Sequence, residues 1–233
     1  MDTLIEIPGD RTAAKFAYAA AGLGVVGVAT LGAMYAIEVP KNGPFIFGTI
    51  NDATGGVFNL AIIPVIVQVH RRLNRTPGSE AAKWLVIAAS SAGSASSFLL
   101  VAKKLDFNAS TGVSVGAMVV QAGWFLLAHR SLLKSGGYPR RLAELGQFIG
   151  GALVVALPLA ALAAVEQAPV WIRWGIGGAG IALGATAWVA WPYWYFLAAR
   201  HLSHVTGEDA AGAPAEAPAE APRPTRRNIG AGY

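Results

Sequence analysis

The sequence predicts an all-α membrane protein, an up-and-down bundle of six transmembrane helices with the N- and C-termini cytoplasmic. Three observations carry this. Of the 233 residues 54% are hydrophobic and only 13% charged, about half the charged share of roughly 25% usual in soluble domains. The apolar residues gather into long runs near the ~20 residues needed to cross the hydrocarbon core. The basic residues alternate between rich and poor loops, which sets an orientation.

The runs are 13–37, 45–69, 81–102, 111–133, 142–165 and 170–199. Span one comes after an acidic start without a basic n-region or small-residue cleavage site, so the span itself is expected to insert the chain. In span two Asn51 and Asp52 interrupt the apolar run; its helix is expected to begin near Ala53, leaving 45–50 at the interface. Span three carries Ser90, Ser94 and Ser97 along one stripe, small enough for close helix contact and able to bond across helices. Spans four, five and six show glycines four apart: Gly112 and Gly116 with Gly123 beyond, Gly146 and Gly150, and Gly180 and Gly184. These read as packing faces, or as a route to dimers. Pro64, Pro158 and Pro192 fall inside spans, where a kink is tolerated. A seventh span would need a break at Pro192, and the remainder of that run is too short to cross.

All of the 18 lysines and arginines except Lys41, Lys103, Lys104 and Arg173 fall on one side of this arrangement. The positive-inside rule makes that side cytoplasmic. The Lys103–Lys104 pair is explained by snorkelling at a helix end. Residues 1–12 are then a cytoplasmic lead, 13–203 the six-helix domain and 204–233 a tail rich in Ala, Pro and Glu. Its composition cannot bury a core and predicts an extended, mobile segment, with Arg223, Arg226 and Arg227 available to anionic lipid.

From Trp124 to Gly150 the chain reads WFLLAHRSLLKSGGYPRRLAELGQFIG. This hairpin resembles a stretch shared by uncharacterised bacterial six-helix membrane proteins, a family of unknown function. There a span ends on a basic residue, a Gly-x-x-Pro-Arg turn comes next (here Gly136, Gly137, Tyr138, Pro139 and Arg140), and small residues open the next span. The resemblance implies six spans and no activity.

Cysteine is absent, which excludes disulfides and thiolate sites. No H-E-x-x-H motif occurs, and the serines at 91–96 have no histidine at their depth. Basic loops without aromatic interleaving do not indicate nucleic acid. Trp171 and Trp174 at the outer start of span six, and Trp191, Tyr193, Trp194 and Tyr195 at its inner end, read as interfacial belts. His70, His129 and His201 close the even-numbered spans, each beside an arginine. Paired on facing helices they could ligate haem, but a headgroup depth argues for a basic belt, and no cofactor or metal is expected. The candidate ligand or ion path is Asn51, Asp52, Asn59 and Gln121, because polar groups inside a span usually face a cavity, partner or substrate. Asp52 shares its side with Glu38, Asp106 and Glu166, and the four could form a cation-attracting vestibule. The expected partners are the bilayer and either another membrane protein or a second copy. The sequence ranks a non-enzymatic membrane component first, a small-molecule or ion transporter using span two next, and an intramembrane enzyme or sensor for a lipid-like ligand last.

Overall fold

The computed structural model describes residues 8–136 and 138–212, and among these it is all-helical with no strand. Its long helices are α1 (Asp10–Ala33), α2 (Ile46–His70), α3 (Pro77–Val101), α4 (Phe107–Ser135), α5 (Arg140–Ala161) and α6 (Gly178–Gly212). A π-helical turn, Met34–Glu38, and a 3-10 turn, Val39–Lys41, extend α1. A second π-helical stretch, Trp171–Gly177, leads into α6. α1 with its extension and α2 to α5 are long and apolar enough to cross a membrane. α6 has the length, but its glycines, tryptophans and tyrosines dilute its hydropathy.

Each helix packs on the ones before and after it, and α6 returns to α1. The six therefore close into a ring. α1, α3 and α5 begin at one end, the basic end, where Asp10, Arg71, Arg72, Lys83 and Arg140 cluster. The α1–α2 and α3–α4 connections and the lead into α6 lie at the far end.

Local chemistry sets the helix ends. Glu38 accepts from Phe47 N at 2.9 Å and Gly48 N at 3.2 Å, capping α2 from the preceding connection. Thr76 and Ser79 form a reciprocal capping box at α3, with Pro77 at its first position. Asp106 caps α4 by accepting from Ala109 N at 2.9 Å. Gly136, in the left-handed region at φ 72°, ends α4, and Pro139 caps α5. Gly137 of the expected turn lies outside the described residues.

Several expectations change. α2 begins at Ile46, so Asn51 and Asp52 lie inside a helix; the Glu38 cap supplies the partners that its first turn lacks. α6 runs unbroken through Pro192 and on to Gly212, past the expected boundary at 203. Residues 213–233 of the tail, expected to be extended, lie outside the described residues. Gly112, Gly116 and Gly123 do not pack within the chain, since a Cβ at each would meet nothing within 4 Å. Gly150 does: a Cβ there would stand 2.7 Å from Ala122 O on α4. Gly180 likewise abuts Leu159 and Ala160 of α5.

Burial differs from that of a water-soluble bundle, with polar side chains inside and many large apolar ones outside. Ser90, Ser94, Ser96, Ser97, Ser110, Gln68, Gln121, His70 and His129 are buried, whereas Val25, Ile46, Trp84, Leu127 and Val189 are among many exposed large apolar residues. At most 44% of any candidate span's most apolar stretch is buried, so the aliphatic faces point out of the ring.

Candidate functional site

At the basic end the ring is closed by an aromatic plug. Phe125 on α4 meets Trp194 at 4.8 Å and Trp191 at 5.5 Å between ring centroids, and Phe58 on α2 meets Tyr195 at 5.6 Å. Trp194 is tied to α5 by donating to Leu142 O at 2.9 Å. Trp191, Trp194 and Tyr195 are thus interior residues and not an interfacial belt; only Tyr193 points outward. They sit midway along a helix that runs well beyond them. Trp171 and Trp174, by contrast, are exposed.

The histidines are corrected in the same sense. His129 is fully buried, its Nδ1 2.8 Å from Phe125 O and its ring 5.0 Å from that of Trp194. His70 is buried against Glu80 at 2.9 Å. His201 is half-buried and stacks edge-on to Tyr138 at 5.6 Å. Being next to an arginine in sequence fixes depth, but the ring face decides exposure.

Below the plug, Asp10 accepts from Arg72 Nη2 through both carboxylate oxygens at 2.8 Å. Gln68 also bonds Asp10, and Arg71 donates to the Pro8 carbonyl. Tyr138 is buried beside this pair; burial pushes its phenol above the ordinary value, and its hydroxyl completes no hydrogen bond with a described residue.

On the other side of the plug the ring holds a cavity of about 170 Å³, in which a few polar side chains sit within a largely apolar lining. Asn51, Asp52, Asn59 and Gln121 all line it, with Ser97, Ser114 and Trp188. Asp52 and Asn59 are seven positions apart, two turns or about 10 Å along α2. Gln121, at the middle of α4, donates to Asn59 Oδ1 at 2.7 Å and to Ser90 Oγ at 3.1 Å. Asn59 in turn donates to Gly55 O at 2.9 Å. This network holds the deep end, where Phe58 and Trp191 present the face of the plug to the cavity.

Asp52 differs from every other carboxylate near the ring. It is half-buried and makes no hydrogen bond or ion pair with any described residue. Glu38 and Asp106 are spent on helix caps and Glu166 is exposed. The four carboxylates therefore do not form a common vestibule; Asp52 alone joins the cavity. No lysine or arginine lines it. The lining joins one carboxylate to amide and hydroxyl groups that can also accept, an arrangement suited to a cation with N–H donors. The volume would hold on the order of five waters or one small organic cation.

Sequence reasoning missed Ser97, Ser114 and Trp188. Serine and tryptophan are ordinary in apolar helices, and only the position of the ring axis distinguishes these from their neighbours. No protein-family model, curated protein or solved structure matches the chain.

Proposed function

We propose that the chain is a six-span protein of the cell membrane, with both termini cytoplasmic, that binds a small organic cation in its ring and transports it. The outward aliphatic faces support the membrane reading, because exposing them to water would far exceed the few hundred Å² of apolar patch usual for soluble proteins. The basic residues at one end support the orientation. α6 is the sixth span because it packs along two neighbours that are themselves long and apolar enough. The left-handed Gly136 and the Pro139 cap support the kinship with six-helix membrane proteins suggested by the 124–150 hairpin.

The observation that carries the function is the unpaired Asp52 carboxylate in a cavity without basic residues. Asp52 lies in the second turn of α2, inside an apolar span, where an ionisable side chain is costly. Such a residue without a protein partner is accounted for by a ligand. The test is uptake of labelled methylammonium into proteoliposomes. Asp52→Asn abolishes uptake and keeps the thermal stability of the parent. Unchanged uptake ends the proposal, as does a large loss of stability, which would make Asp52 a structural partner.

A second reading, a non-enzymatic component of a larger assembly, is favoured by the unoccupied glycine stripe Gly112, Gly116 and Gly123. Close backbone approach of another helix would use such a face. Gly116→Ile would then reduce the particle mass in light scattering, and an unchanged mass removes this reading.

A further inference from the structure

The cavity has a thin wall where α1 meets α6. α1 turns Leu23, Gly24 and Gly27 into the cavity, whereas Tyr18, Gly22, Val25 and Ala29 face the opposite way. With Val189, Tyr193 and Phe196 of α6 these line an apolar groove of about 580 Å³ on the outside of the ring. Pro192 borders both spaces. Its ring lies against Gly24, where a Cβ would come within 2.6 Å of Pro192 Cγ. A glycine and a proline are thus all that separates cavity from groove at this point. Proline has no N–H, so the Trp188 carbonyl lacks its usual donor four residues on. Trp188 lines the cavity beside the wall.

The sizes point the same way. Sites for drug-sized ligands span about 300–1,000 Å³. At about 170 Å³ the cavity falls below that range, and the groove behind its wall lies within it. The cavity supplies acceptors and a negative charge, and the groove supplies a long apolar trough.

We infer that the ligand is a single-chain amphiphile whose ammonium head sits at Asp52 and whose apolar chain lies in the α1–α6 groove, reached sideways from the membrane. This rests on the cation-binding reading and names its substrate class. A small hydrophilic cation uses the cavity alone. An anionic amphiphile finds the groove but no partner in the cavity.

The experiment uses the full chain in phosphatidylcholine nanodiscs, with protein-free discs as the baseline for partitioning. Labelled methylammonium is displaced by dodecylammonium, and dodecyl sulfate serves as the charge control. Dodecylammonium displaces the label at concentrations at least about tenfold lower than unlabelled methylammonium, since even two buried methylenes contribute that much. Dodecyl sulfate does not displace it. Gly22→Phe fills the groove where nothing lies within 4 Å of the new Cβ. It removes the advantage of the chain and leaves methylammonium binding unchanged. Val25→Trp, at another exposed groove position, gives the same result where the first variant folds poorly. Equal affinities for the two amines, or an advantage that survives both groove variants, overturns the amphiphile and leaves the cation site standing. Displacement by dodecyl sulfate shows a trough for lipid chains of any charge and also overturns it. No methylammonium binding at all removes the underlying site.

Discussion

Two aspartates on facing helices show how partners divide structure from function. Asp10 is buried and held by Arg72 and Gln68, so losing one partner leaves a charge stranded. Arg72→Gln is expected to cost about 3–5 kcal/mol, the usual range for half of a buried pair. A marked fall in the thermal unfolding midpoint in detergent checks this, and an unchanged midpoint would mean that the pair carries no structural load. Asp52→Asn removes no hydrogen bond or ion pair with a described residue and should leave the midpoint where it is. Tyr138→Phe should hold or raise stability, because it deletes a buried hydroxyl that has no partner among the described residues. A drop in the midpoint would reveal a hydrogen bond at that hydroxyl.

Asn51, Asp52, Asn59 and Gln121 were visible in the sequence because a polar residue in an apolar run stands out in one dimension. Their convergence was not visible, since it depends on how α2 and α4 rotate about their axes. The histidines illustrate the limit. Their depth could be read from the chain, but His129 faces Trp194 and the interior. Hydropathy reports what surrounds a helix and says little about which side chain turns inward.

At the scale of the helix, small residues divide into contact faces and open faces. Gly150→Ala places a methyl against the α4 backbone near Ala122 and Leu126. Backbone cannot step aside as a side chain can, so a loss of about 1–3 kcal/mol is expected. Gly116→Ala meets nothing within 4 Å, and should stabilise α4 slightly through helix propensity. Thermal melts of the two variants, run side by side, check the contrast; equal effects would contradict the assignment of faces. Both glycine pairs looked alike in the sequence, because a spacing of four marks a stripe without saying what it faces. The start of α2 was misread for a related reason. Glu38 lies outside the run it caps, and its two bonds to Phe47 and Gly48 are long-range in sequence terms. Glu38→Ala should fray that first turn and cost about 0.5–2 kcal/mol.

For the whole molecule the ring explains why the polar side chains turn inward, among a mostly apolar core, while the exterior is aliphatic. Helices in lipid gain little from burying apolar groups against one another. Ser96 bonded to Ser110 at 3.0 Å, Trp194 to Leu142 and Gln121 to Asn59 therefore fasten neighbours and cross the ring. The number of helices followed from run length and loop charge; ring closure did not, because no local signal brings α6 to α1. The natural absence of cysteine makes the topology simple to test. In intact cells a membrane-impermeant maleimide should label Glu166→Cys directly and Arg75→Cys only after permeabilisation. The reverse pattern would invert the bundle.

The most direct test of the central claim places a reporter in the cavity and leaves Asp52 in place. Ser114→Cys lines the site and is close in shape to the native residue. A quaternary-ammonium thiosulfonate reagent should modify it on the order of tenfold faster than a sulfonate-bearing one, the scale of local electrostatic focusing. Methylammonium should protect it, and adding Asp52→Asn should erase both the preference and the protection. Equal rates for the two reagents, or protection that survives Asp52→Asn, would contradict a cation site built on that carboxylate.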